Sequence, residues 1–169
     1  PDPRAILPLD GLHVSRSLKR RIRQGGFVVK FNTAFREVMI ECARPAPGRV
    51  KTWISKGFIE VYGQLHRLGF AHSIEIWIEN KLAGGIYGVG IGGLFAGESM
   101  FSRVTGASKI ALVYLVRHLQ EQNFRLFDIQ FTTAHLMGFG AVDIPQCEYK
   151  SRLAQALKVG ARFYGRLYR

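Results

Sequence analysis

Two short stretches of this 169-residue chain carry residue types that could do chemistry. In Gly97-Glu98-Ser99-Met100-Phe101-Ser102-Arg103, an acid, two hydroxyls and a cation fall within seven residues, directly after an apolar, glycine-rich run from Gly84 to Ala96. In Phe127-Asp128-Ile129-Gln130, an acid and an amide stand two apart in apolar surroundings. A carboxylate at the end of a buried strand is costly unless something uses it. For Glu98 alone a bland role, pairing with Arg103 or capping a backbone amide, reads as well as a functional one. Asp128, a second acid in the same kind of setting, tips the balance towards one shared cleft.

The elements around these residues must bring them together. From Phe70 the apolar period is two: in His72-Ser73-Ile74-Glu75-Ile76-Trp77-Ile78-Glu79 the isoleucines share one face of a strand. Asn80-Lys81 turns into a second strand, Leu82 to Ile91, and Gly92-Gly93 turns into a third, Leu94 to Glu98. A helix follows from about Ala107 to Gln122, then a strand from Arg125 to Phe131 and a short helix from His135 to Phe139. A meander, a helix and a returning strand is the order of the GNAT-like acyltransferase fold, an α/β (α+β) architecture. Its mostly antiparallel sheet is flanked by helices, and the returning strand lies beside the third strand of the meander. Glu98 and Asp128 would then face one cleft from neighbouring strands.

Upstream, three prolines make Pro1 to Gly11 extended and irregular. Ser15 or Ser17 can cap a short helix that the Gly25-Gly26 pair ends. Leu18 and Ile22 form its inner face, and Arg16, Lys19, Arg20, Arg21 and Arg23 cover the rest. Five like charges in eight residues, with no acid among them, point to a phosphate-binding face rather than a merely solvated one. A strand over Phe27 to Phe31 and a helix from about Thr33 to Cys42 follow. Pro45-Ala46-Pro47-Gly48 is the clearest break, dividing a small N-terminal lobe (1–48) from a catalytic domain (49–169). A helix from Gly57 to Gly69 turns Ile59, Tyr62, Leu65 and His66 inward. Lys158, Arg162, Arg166 and Arg169 recur at helical spacing, a second basic face that Gly160 weakens.

Composition narrows the class. An apolar fraction of 47% supports a real core, and the longest apolar run, Ile110 to Val116, is far too short to cross a bilayer. Cys42 and Cys147 show no CxxC or Cys/His metal spacing, so reduced thiols in a cytoplasmic protein are expected, with no metal and no cofactor. A net charge of +12 points to a polyanionic partner, nucleic acid before membrane. His66 and His72 read as core or strand-edge histidines and His118 as a solvated one. Ile110, Val113, Tyr114 and Arg117 form a packing stripe. The chain opens at Pro1 without a Met, as a processed protein or a fragment would.

The runs Leu9-Asp10-Gly11-Leu12-His13-Val14-Ser15-Arg16-Ser17, Thr52-Trp53-Ile54, Gly84-Gly85-Ile86-Tyr87-Gly88, Gly97 to Arg103, Ala107-Ser108-Lys109 and Asp128-Ile129-Gln130 resemble leucyl/phenylalanyl-tRNA–protein transferases. So do His135-Leu136, Gly140-Ala141 and Ile144-Pro145; the resemblance runs from Pro1 to about Tyr149. It implies an enzyme that moves Leu or Phe from aminoacyl-tRNA onto a protein with N-terminal Arg or Lys, marking that protein for degradation. It implies that Asp128 and Gln130 are the catalytic pair and Glu98 an active-site carboxylate. Trp53, Tyr62, Ile86 and Phe95, with Gly97 and Ser99, would receive the aminoacyl side chain and terminal adenosine. The basic helix Arg16 to Arg23 would bind tRNA, and the protein would act as a monomer. Family members usually carry a further N-terminal stretch with an aromatic that helps to hold the tRNA 3′ end.

Elementary chemistry agrees. An aminoacyl ester is already activated, and an α-amine with a pKa of about 7.7–8.0 is partly neutral near pH 7. No covalent nucleophile is needed; holding amine and ester together can be worth about 7–11 kcal/mol. Asp128, hydrogen-bonded through Gln130, could orient the amine, with either Asp128 or the substrate's ribose taking the proton. An apolar pocket accommodates Leu and Phe together and rejects Met poorly, since a methylene-scale difference is worth about 1–3 kcal/mol. Ser99 and Ser102 fit equally as pocket hydroxyls or caps. Two rivals share the sequence features. An acyl-CoA-dependent acetyltransferase would use Arg103-Val104-Thr105-Gly106-Ala107-Ser108 as an imperfect phosphate loop. A non-catalytic RNA-binding module would explain the charge but not two acids in an apolar cleft.

Overall fold

A computed structural model describes residues 1–45 and 52–164. The chain order is β1 (Arg4–Ile6), α1 (Arg16–Gln24), β2 (Val28–Phe31), α2 (Phe35–Ala43), α3 (Lys56–Arg67), β3 (Ala71–Ile78), β4 (Lys81–Ile91) and β5 (Leu94–Ser102). There follow α4 (Ala107–Glu121), β6 (Leu126–Gln130), α5 (Ala134–Met137), β7 (Val142–Ile144) and α6 (Gln146–Ala156). The strands form one seven-stranded sheet in the order β2-β3-β4-β5-β6-β1-β7. Every pairing is antiparallel except β5 with β6, where the chain returns through α4 to lie parallel beside the third strand of the meander.

Local chemistry explains the element boundaries. Ser15 Oγ accepts the Leu18 N–H and starts α1, and Gly25 at φ 67° ends it. Ser55 caps α3 in the same way through the Phe58 N–H. The β3–β4 hairpin turns at Glu79 and Asn80, both at positive φ, the twist that suits a two-residue hairpin loop. Helices cover both faces of the sheet. α4 buries Ile110, Ala111, Leu112, Val113, Leu115, Val116 and Leu119 against Ile74, Ile76, Ile86, Phe95 and Phe127, with Leu18 of α1 joining from outside. On the other face α2 and α3 enclose Tyr87, Leu82 and Phe101 with Phe35, Val38, Met39 and Tyr62. β3 and β4 are therefore buried on both sides. Gly84 is required where α4 crosses β4, since a Cβ there would stand 2.6 Å from that of Ala107.

Four expectations are corrected. Pro1 to Gly11 is not wholly irregular: β1 enters the sheet between β6 and β7. His118 is not solvated but fully buried, its ring 4.3 Å from Phe31 and 4.5 Å from Phe163. The C-terminal helix is α6, which ends at Ala156, so Lys158 and Arg162 are not on a helix; Arg166 and Arg169 lie outside the described residues. Glu98 does not pair with Arg103, which instead forks onto Glu41 at 2.7 and 2.5 Å. Much of the break drawn at Pro45 to Gly48 also lies outside the described residues. β1 and β2, from before that break, are strands of the same sheet as those after it.

Candidate active site

The site is a consequence of where two strands stop pairing. β5 and β6 run in register from Leu94↔Leu126 to Ala96↔Asp128, and no further. Beyond that point Gly97 to Met100 on one side and Ile129 and Gln130 on the other part company and line a cavity of about 180 Å³. Ile86, Phe127, Leu112 of α4 and Leu136 of α5, all buried, form its apolar end. Glu98, Ser99 and Gln130 are half-buried and form its polar end. Glu98 also sits at an irregularity of β5: Gly97 opposes Gly88 and Ser99 opposes Tyr87, leaving Glu98 as the extra residue of a bulge. The bulge leaves Glu98 without a paired residue opposite it.

The two acids have different surroundings. Glu98 receives the Gln130 amide at 3.4 Å, and the Tyr62 phenol of α3 approaches it as a donor. Burial raises its pKa above the ordinary 4.5; the Gln130 and Tyr62 donors and Arg4 oppose that rise, and the charge of Asp128 adds to it. The Tyr62 phenol is pushed up to about 12, first by burial and then by the Glu98 charge, so it is a donor throughout the physiological range. Asp128 is only 1% exposed. Its Oδ1 accepts Arg4 Nε at 3.0 Å and the Gln130 backbone N–H at 2.8 Å. Its Oδ2 accepts Arg4 Nη2 at 2.6 Å and the Tyr149 hydroxyl at 2.7 Å. Tyr149 is likewise pushed up to about 12, by burial and then by its bond to Asp128.

The other expected residues separate into those at the cavity and those away from it. Ile86, Gly97, Ser99, Glu98 and Gln130 line it, and Tyr62 reaches it through Glu98. Phe95 does not: it is 1% exposed and packs against Phe124, Phe127 and Phe163 in the core, supporting the cavity from behind through the Phe127 ring at 5.7 Å. Trp53 is 51% exposed, edge-on to Phe58 at 5.3 Å, and does not line the cavity. The side chain of Gln130 does not hold Asp128; its backbone N–H does, while its amide turns to Gly97 O at 3.3 Å and to Glu98. Arg4 and Tyr149 were not anticipated. Arg4 lies 124 residues from Asp128 in a short proline-flanked strand, and nothing local ties it to an acid. Arg16, Lys19, Arg20, Arg21 and Arg23 are all exposed on α1, and Arg117 of α4 joins Arg16, Lys19 and Arg23 around the groove between the two helices.

Residues 6–154 match the family described as leucyl/phenylalanyl-tRNA protein transferase. A leucyl/phenylalanyl-tRNA–protein transferase of Herpetosiphon aurantiacus is 54% identical over 164 residues, spanning 96% of this chain and 84% of its own length. One from Rhodospirillum rubrum is 51% identical, spanning 96% of this chain and 76% of its own length. One from Hyphomonas neptunium is 50% identical over 98% of this chain, which spans 64% of that relative's length. Among solved structures, L-PGS from Bacillus licheniformis has the same fold, with a TM-score of 0.55 at 14% identity over 99% of this chain and 60% of that one.

Proposed function

The chain belongs to the leucyl/phenylalanyl-tRNA–protein transferase family, and from that premise we propose that the β5–β6 cleft joins the aminoacyl group of Leu- or Phe-tRNA to the N-terminal Arg or Lys of an acceptor protein. The observation that carries this is the cavity itself. An apolar end of Ile86, Leu112, Phe127 and Leu136 suits a branched or aromatic side chain, and its polar end presents one carboxylate and one amide to the reacting groups. Methionine enters the same pocket less well.

In the reaction the acceptor nitrogen attacks the ester carbonyl carbon. A C–N bond forms, the C–O bond to the ribose breaks, the nitrogen loses a proton and the ribose oxygen gains one. Glu98 sits where the amine must approach and, with its pKa raised by burial, draws the ammonium and accepts its proton more readily than an ordinary carboxylate. Gln130 aligns the reacting groups beside it. Asp128 belongs to the same catalytic unit through the Gln130 N–H. The exposed cations of α1, with Arg117, hold the tRNA backbone by charge. We propose that the protein acts in the cytoplasm as a monomer, an expectation from the sequence; among the described residues no helix is long and apolar enough to cross a membrane.

The acyl-CoA alternative is disfavoured by the loop before α4. There the Arg103 and Val104 amides bond to Ala83 O and the Ser108 N–H bonds to Ser102 Oγ at 2.8 Å, so these donors are committed within the protein. Arg103 itself is held by Glu41. The deciding experiment is transfer of labelled Leu from Leu-tRNA to a peptide beginning with Arg, set against the same peptide beginning with Ala. Transfer to the first alone is expected. No transfer, together with acetylation from acetyl-CoA, would overturn the proposal.

A further inference from the structure

The surroundings of Asp128 do not suit a group that exchanges protons with substrate. A carboxylate offers about four lone-pair sites. Here two Arg4 nitrogens, the Tyr149 hydroxyl and the Gln130 N–H occupy them, and the side chain is buried. What Asp128 does hold is a turn. Gln130 has φ 66°, in the left-handed region that a residue with a side chain seldom adopts. Immediately after it the Phe131 N–H closes onto Ile129 O at 2.7 Å, making a three-residue turn of the strained, positive-φ kind. In a continued strand the Gln130 side chain would stand on the same face as that of Asp128, two residues before it. The turn instead sets its amide between Gly97 O and Glu98.

The side chain that keeps this turn closed is Asp128, and the groups that keep Asp128 in place come from two other elements. Arg4 of β1 grips both carboxylate oxygens, Tyr149 of α6 donates to one, and the Arg4 guanidinium lies 5.2 Å over the Tyr149 ring, so the two restrain each other. Neither Arg4 nor Tyr149 lines the cavity. We propose that Arg4 and Tyr149 are positioning residues of the transfer reaction: acting through Asp128, they fix the Gln130 turn and so aim its amide at Glu98 and the attacking amine. This inference rests on the proposed transfer reaction.

The test uses the full chain. Tyr149→Phe removes one hydroxyl and no volume, and Arg4→Lys keeps the charge but cannot form the two-nitrogen grip. Single-turnover transfer of Leu to an Arg-initiated peptide is measured with both substrates saturating, alongside tRNA affinity and the melting temperature. A misplacement on the ångström scale costs up to about 100-fold in rate, so losses of about 10- to 100-fold in the single-turnover rate are expected, with KM for the peptide and tRNA affinity unchanged. In Gln130→Ala enzyme, where no amide is left to aim, adding Tyr149→Phe is expected to cost little more. Unchanged rates in both single variants overturn the inference. So do losses that fall equally on the Gln130→Ala background, since that pattern marks a general structural role. If Arg4→Lys does not fold, Tyr149→Phe decides alone. A parent protein that transfers no Leu refutes the underlying function and the inference with it; an active parent whose variants are unaffected refutes the inference only.

Discussion

Glu98 and Asp128 stand on adjacent parallel strands, two residues past and at the last paired position respectively, yet the fold treats them as opposites. Around Asp128 every acceptor site is filled, a guanidinium balances the charge, and the carboxylate is buried. Around Glu98 the strand bulges, the partners are an amide and a phenol, and among the described residues no cation is in hydrogen-bonding contact. The first arrangement holds geometry. The second makes ionisation costly and leaves a carboxylate ready to react with what enters the cleft. In the proposed reaction, a site that must both hold a shape and handle a proton divides the two tasks between two acids.

Four measurements sharpen or break that division, in order of falling effect. Asp128→Asn should be the most damaging, because it removes the counter-charge of Arg4 and weakens the anchor of Gln130 together. Transfer should fall by roughly 100-fold, the cost of a misplacement on the ångström scale, and urea denaturation should show a loss of about 1.5–3 kcal/mol, the worth of hydrogen bonds to a charged group. An active, fully stable Asp128→Asn enzyme would erase the distinction between the two acids.

Glu98→Gln should cost activity without costing stability, with transfer down roughly 100-fold and tRNA affinity intact. The pH dependence gives its sign. The folded-state pKa of Glu98 lies above the ordinary 4.5, so the native state binds this proton more tightly than the unfolded chain. Its contribution to stability is therefore lost as pH rises from about 4.5 through the raised native value. Glu98→Gln should melt higher than the parent at pH 7, and the gap should close as pH falls towards 4.5. A lower melting point at pH 7 would make Glu98 a structural residue like Asp128.

Tyr62→Phe should act more mildly, by roughly tenfold or less, as the loss of one positioned hydrogen bond. The phenol opposes the rise in the Glu98 pKa, so removing it should move the acid limb of the transfer rate to higher pH. A limb that stays in place would detach Tyr62 from Glu98. The smallest effect belongs outside both acids. Lys19→Ala on α1 should weaken every tRNA alike and reduce the log–log salt slope of binding by roughly 0.7–0.9 per lost phosphate contact. An effect confined to one tRNA would show base recognition instead.

The same contrast explains what the sequence disclosed. Glu98 and its strand were legible because their signals are local: period-two isoleucines in β3, a turn at Gly92-Gly93, and an acid closing a glycine-rich apolar run. The parallel β5–β6 neighbours followed from element order, and so did the nearness of the two acids. The partners of Asp128 were not legible. β1 is three residues long among prolines, and α6 begins after Pro145 with no side-chain cap to announce it. His118 was misplaced because α4 is apolar on nearly all sides, so no solvent face could be drawn from its period. The side chain of Gln130 was assigned to Asp128, which a straight strand allows. Only the left-handed turn reverses that assignment, and nothing in the residue type Gln announces one.

β1, at residues 4–6, lies between strands made of residues 126–130 and 142–144. On a ribosome the meander and α4 emerge complete while β1 still has no neighbour to pair with. Elongation proceeds at roughly 5–20 residues per second, so the strand waits on the order of ten seconds for its partners. Arg4 meets Asp128 only after that, and Tyr149 comes last. A nascent chain halted just before α6 thus carries most of its core and the Arg4 grip on Asp128 but lacks the Tyr149 hydroxyl that completes it. On the proposed roles of Arg4 and Tyr149, full transfer activity is reached only once α6 is in place.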